Sequence, residues 1–138
     1  MPKAFLDSNV LIYALGQEPV KKAAAVALLD ASATISVQVL GEIANVMRRK
    51  LDFTPQQAGE VIADLIDRLD VVLVGAQTVR HALELAQRHS LSHFDAQIVA
   101  SALEADCEVL FSEDMQAGHV FEQRLRIVNP FLDTSPSS

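Results

Sequence analysis

The chain predicts an α/β fold: a single domain with a central parallel sheet of four to five strands covered by helices on both faces. Three observations lead there. Short apolar runs alternate with stretches of helical spacing. The apolar runs lack polar alternation, as strands do when both faces of a parallel sheet are covered. The 138 residues contain no internal repeat and no interdomain linker, which fits one domain.

The elements follow in order. Phe5-Leu6 is the heart of the first strand. Asn9 to Leu15 is a short helix that stops at Gly16. Glu18 to about Ala31 is helical, with Pro19 suited to its first turn and Ala23 to Ala27 rich in helix propensity. Ala33 to Ser36 is the second strand. Val37 to Leu51 is a helix whose closing Arg48-Arg49-Lys50 complements a helix C-terminus. Thr54 caps a helix that Pro55 opens and that runs to about Leu69. Val71 to Val74 is the third strand. Thr78 to about His89 is helical, and Ser92 caps a helix reaching about Ala105. Glu108 to Phe111 and Ile127-Val128 complete the strands. The domain spans residues 1–131, and residues 132–138 form a flexible C-terminal tail.

Composition narrows the class. Hydrophobic residues make up 50% and charged residues 21% of the chain, a globular balance. The single cysteine, Cys107, permits no internal disulfide and no cysteine-based metal cage. It reads as a core thiol in a reducing, cytoplasmic compartment. No signal-peptide pattern precedes Asp7, and no apolar stretch approaches the roughly 18 residues of a membrane span. A soluble protein with no membrane partner is expected. The net charge of −7 argues against a surface coated for nonspecific nucleic-acid binding. It is compatible with an acidic pocket that holds a cation and thereby makes a phosphate site.

Acids stand where ligands bind in open α/β sheets, beyond the C-terminal strand ends. Asp7 ends the first strand. Ser112-Glu113-Asp114 follows the fourth. At about 100° per residue, Asp95 falls about 60° from Ile98, inside the stripe of Ile98, Val99, Ala102 and Leu103, so it points at the sheet. Glu42 lies on the border of the face formed by Val39, Ile43, Val46 and Met47. Plain readings exist for each: a helix cap at Asp7, a solvated flank at Glu42, a Ser92-His93-Phe94-Asp95 capping box, a turn at Asp114. Four converging carboxylates would repel one another, and a divalent cation would relieve them. All-oxygen ligands favour Mg²⁺ or Mn²⁺. Phe94 reads as core packing. His89 and His93 have zinc-like spacing, but a helix boundary near Ser90 to Ser92 separates them, and both read as structural or exposed.

The segments FLDSNVLIYAL, VLGEIANVMRR, HFDAQIVASALEADCEVLFSEDMQAG and RIVNPF resemble the PIN-domain family, and more narrowly the VapC-type toxin ribonucleases of type II toxin–antitoxin systems. The resemblance runs from Phe5 to about Phe131. It implies a parallel α/β/α sandwich and a Mg²⁺- or Mn²⁺-dependent endoribonuclease that hydrolyses RNA phosphodiester bonds with metal-activated water. By match, Asp7, Glu42, Asp95 and Asp114 are the four acids, with the strongest metal contacts on Asp7 and Asp95. Ser8 and Asn9 match the small polar pair after the first acid, and Ser112 matches the residue that opens the fourth motif. Ala117 stands where many relatives carry a further acid or His.

The same resemblance implies an RNA substrate, a cognate antitoxin that covers the acids, and a homodimer. The apolar helices Val20–Leu29 and Val61–Leu69 are the candidate dimer surface. Arg48, Arg49 and Lys50 are the candidate RNA contacts, with Lys21, Lys22 and Arg88 behind them. Two other readings compete. In the first, Asp7 is the covalent nucleophile of a phosphatase, a reading weakened because Asn9 stands where a second Asp is wanted. In the second, a non-catalytic metal- or RNA-binding module regulates a partner.

Overall fold

The computed structural model describes residues 2–29 and 32–132. Its strands are β1 (Ala4–Leu6), β2 (Thr34–Ser36), β3 (Asp70–Val72), β4 (Val109–Phe111), β5 (Val120–Phe121) and β6 (Leu125–Val128). Its helices are α1 (Ser8–Leu15), α2 (Pro19–Leu29), α3 (Val37–Arg49), α4 (Pro55–Arg68), α5 (Ala76–His89) and α6 (His93–Glu104). Asp30, Ala31 and most of the expected tail, from residue 133 onward, lie outside the described residues.

The strands form one sheet in the order β3-β2-β1-β4-β6-β5. The five expected strands run parallel. β5 is an addition, antiparallel to β6 at the edge. Its turn is closed by the Arg124 N–H donating to the Phe121 carbonyl at 3.1 Å. Glu122 and Gln123 both have positive φ, 52° and 61°. Such turns usually announce themselves with Asn-Gly or Asp-Gly, and Glu-Gln carries no such signal.

β3 also differs from expectation, covering 70–72 rather than 71–74. Its last paired residue, Val72, lies opposite Ser36. Ser36 is where β2 ends and caps α3, its hydroxyl accepting from the Val39 N–H. No further β2 backbone is left to pair, and Leu73 emerges 80% exposed. Elsewhere the caps hold as read: Thr54 and Gln57 make a reciprocal capping box at α4, and Ser92 caps α6.

Phe5 and Leu6 are consecutive and both fully buried, which requires cover on both faces of the sheet. Right-handed crossovers from β1 to β2 to β3 put α1 to α4 on one face; the reversal to β4 puts α5 and α6 on the other. The observed packing agrees, with α1 against α2 and α3, α3 against α4, and α5 against α6. The chain therefore changes direction between the neighbours β1 and β4. Ligands in such sheets bind at that switch point, outside the C-terminal strand ends.

Candidate functional site

Asp7 extends the β1–β4 ladder by one bond, its N–H donating to the Phe111 carbonyl at 3.0 Å. It then caps α1, Oδ1 accepting from the Ser8 N–H at 2.7 Å. The cap accounts for only one oxygen. Oδ2 accepts from the Ser112 hydroxyl at 2.8 Å and from the Asn9 amide at 3.3 Å. The same Asn9 nitrogen donates to Asp114 Oδ2 at 3.2 Å, and Asn9 Oδ1 accepts from the Glu113 N–H at 3.2 Å. One side chain thus ties the end of β1 to the loop after β4, across the switch point. Ser112 Oγ also accepts from the Met115 N–H, which closes the loop on itself.

The other two acids come from helices. Glu42 lies in α3, and Gln38 one turn earlier donates Nε2 to Glu42 Oε2 at 3.1 Å. That nitrogen also donates to the Phe94 carbonyl at 3.2 Å, while Gln38 Oε1 accepts from Gln97 Nε2 at 2.7 Å. Gln38 therefore joins the second acid to the helix that carries the third. Asp95 is half-buried in the first turn of α6, its N–H donating to Ser92 Oγ.

The four charges act on one another. Burial pushes the Asp7 carboxyl up to about 6; the Ser112 and Ser8 donors oppose the rise, and the charges of Asp95 and Glu42 add to it. Burial likewise raises Asp95, opposed by Ser92 and reinforced by Asp114 and Glu42. Among the described residues, no Lys, Arg or His forms an ion pair with any of the four. Hard oxygen donors with uncompensated negative charge fit Mg²⁺ or Mn²⁺ in chemistry. Asn9 bridges Asp7 to Asp114, and Gln38 links Glu42 to the backbone of α6, but among the described residues no three His, Cys, Asp or Glu groups stand as a ready-made cage.

Other residues fall elsewhere. Arg48, Arg49 and Lys50 close α3 at the end away from the acids, about 9 to 12 Å along the axis from Glu42. Arg48 donates to the Phe53 carbonyl at 2.9 Å. Lys21 is engaged, its Nζ 2.5 Å from Glu113 Oε2 and 3.2 Å from the Tyr13 hydroxyl, which itself donates to Glu113 at 2.7 Å. The hydrogen bond to Lys21 draws the Glu113 carboxyl below its usual range. Ala117 is exposed in a turn. His89 ends α5 and packs edge-on against His119 and Phe121, a structural role as read. Cys107 is buried as expected. Phe94 contradicts its core reading: it is 61% exposed. In the first turn of α6 it is the exposed position, while His93 and Asp95 are half-buried and Ala96 is buried.

Sequence reasoning missed Gln38 and Gln97. A signal existed: Gln38 lies four residues before Glu42, and Gln97 is a long polar residue within the buried run from Ala96 to Leu103. A groove of about 530 Å³ lies apart from the acids, lined by α1, α2 and α4 residues such as Leu11, Val26, Leu29, Val61 and Leu65. The two helices expected to offer a dimer surface face each other across it. No described helix is long and apolar enough to cross a membrane.

No curated protein sequence matches the chain. Solved structures share its fold. A toxin–antitoxin complex from Klebsiella pneumoniae superposes with a TM-score of 0.71 at 20% identity, covering 94% of this chain and 98% of that one. VapC20 of Mycobacterium tuberculosis, described as a sarcin-ricin loop cleaving toxin, gives 0.65 at 20% identity, with 81% and 92% covered. DNA-bound VapBC from Salmonella typhimurium gives 0.64 at 22%, with 92% and 97% covered. The PIN domain family model matches residues 4–120, from the first strand through the fourth acid to β5, and the chain accordingly belongs to the PIN-domain family.

Proposed function

We propose that this protein is an endoribonuclease whose Asp7, Glu42, Asp95 and Asp114 hold Mg²⁺ or Mn²⁺ at the sheet's switch point, and that it is the toxin of a toxin–antitoxin pair. One observation carries the site: Asn9 bridges Asp7 and Asp114 while Asp7 and Asp95 both feel the other acids' charge, with no cation among the described residues paired to any of the four. When bound, the divalent ion supplies positive charge that acidifies water and stabilises charge building on a phosphoryl group.

The chain's own residues do the rest. Ser112, Asn9 and the Ser8 N–H fix both Asp7 oxygens, so the most buried acid is oriented in advance. Gln38 steadies Glu42. Asp114 hangs from Asn9 at the exposed side, where a substrate phosphate has room to approach. The raised Asp7 carboxyl marks the cost of its charge without a cation, and a bound divalent ion would relieve that cost. No side chain is needed as a covalent nucleophile.

Family membership and the toxin–antitoxin complexes among the structural neighbours support a cognate antitoxin as partner. We extend this to antitoxin cover of the acids and to a homodimer across the α2 and α4 face. The test is cleavage of structured total RNA by antitoxin-free protein with Mg²⁺, Mn²⁺ or EDTA, comparing wild type with Asp7→Asn and Asp95→Asn. Expected is cation-dependent cleavage that drops at least about 100-fold in both variants, the scale of several kcal/mol of lost charge stabilisation. Equal cleavage by the variants, or cleavage undiminished in EDTA, would overturn the proposal. RNA and Mn²⁺ bound without cleavage would leave the binding-module reading in its place.

A further inference from the structure

Every residue of α6 from Ala96 to Leu103 is buried, yet its first turn leaves Phe94 61% exposed. The position is held firmly. Gln38 Nε2 donates to the Phe94 carbonyl and, from the same nitrogen, to Glu42 Oε2. The His93 ring stands edge-on to Phe94, centroids 5.2 Å apart and planes at 71°. The next residue is Asp95. An exposed aromatic side chain therefore stands next to Asp95, its backbone joined through Gln38 to Glu42.

We infer that Phe94, backed by His93, is a stacking platform for an unpaired RNA base beside the phosphodiester held at the acids; this rests on the ribonuclease reading. The electrostatics make such a grip useful. The acids repel phosphate, Lys21 is committed to Glu113, and Arg48 to Lys50 lie at the far end of α3. A neutral π face holds a base without any protein cation, and it tolerates any base because every base has a π face. Unpaired RNA is the form whose bases are free to splay onto it.

The experiment compares a labelled, unstructured RNA oligomer of mixed sequence with its wholly abasic counterpart. Binding is measured in the Asp7→Asn background with Mn²⁺ raised above its weakened affinity, so that cleavage does not interfere while the cation site stays filled. Stacking predicts that the base-bearing oligomer binds about 5- to 100-fold tighter than the abasic one. Phe94→Ala should erase that preference, Phe94→Trp should keep it, and Phe94→Leu, which retains apolar bulk, should lose most of it. The exposed site makes all three variants compatible with folding. If both oligomers bind equally while cleavage by the Asp7 enzyme persists, the platform is wrong and the ribonuclease reading stands. If neither oligomer binds and no RNA is cleaved, both fall. If Phe94→Ala leaves the base preference intact and instead changes the oligomeric state by light scattering, the ring belongs to a protein interface and the platform is overturned.

Discussion

Asp7 serves two structures with two oxygens. Oδ1 caps α1, and Oδ2 takes the Ser112 and Asn9 donors. The cap and the site are thus compatible, and the sequence's two readings of Asp7 were never true rivals. The pH consequence follows from its raised carboxyl. Between about pH 4 and pH 6 the folded chain keeps a proton on Asp7 that the unfolded chain has released. Stability linked to that proton is complete below about pH 4 and is lost as pH rises through about 6. A shift from 3.8 to about 6 corresponds to about 3 kcal/mol. In EDTA, the stability of Asp7→Asn relative to wild type should improve by up to that amount between pH 4 and pH 7, measured by denaturant titration at each pH. A difference that does not vary with pH would show that Asp7 is not strained by its charge. Asn9→Ala removes three hydrogen bonds at once, to Asp7, Asp114 and Glu113; it should cost about 1 to 2 kcal/mol, read as a lower denaturant midpoint, and loosen the loop that carries Asp114. The four acids were legible because strand ends and helical spacing locate carboxylates. Gln38, Gln97 and the Asn9 bridge were not, because a hydrogen-bond partner depends on which helices meet, and only the fold supplies that.

α6 shows what packing asks of an element. Its buried run uses Ala96, Ala100 and Ala102 with Ser101, small residues that let the helix lie close to α5 and β2. Ala100→Leu should therefore overpack the interface and destabilise by about 1 to 3 kcal/mol, visible as a lowered denaturant midpoint. An unchanged midpoint would mean that the α6 seam has slack. By contrast, Lys21→Met breaks a partly exposed ion pair and should leave the denaturant midpoint nearly unchanged. Helix identity was readable throughout, because caps such as Thr54 and Ser92 and the stop at Gly16 are local chemistry. Strand limits were less so. β3 stops at Val72 because its neighbour β2 turns into α3, and β5 exists because β6 offers it an edge; both are facts about partners. Phe94 was misread for a related reason. An aromatic beside an apolar helix looks like core until the helix is rotated into place.

At the scale of the whole molecule, the sheet order does the assembling. β1 and β4 are neighbours though a hundred residues separate them, and the reversal of winding between them opens the crevice that Asp7 and Asp114 flank. Alternating strands and helices foretold a parallel sheet, and the rule about strand ends foretold which edge to inspect. The net charge of −7 is partly concentrated there, and among the described residues no cation pairs with the four acids. The four acids at this edge are proposed to form one cation site. Titration of Mn²⁺ at pH 7, followed by the electron paramagnetic resonance signal of the free ion, tests it most directly. Wild type should bind Mn²⁺, and Asp7→Asn and Asp95→Asn should each weaken binding by about 10-fold or more, since each removes one charged oxygen ligand. Equal Mn²⁺ affinity in all three proteins would contradict the claim.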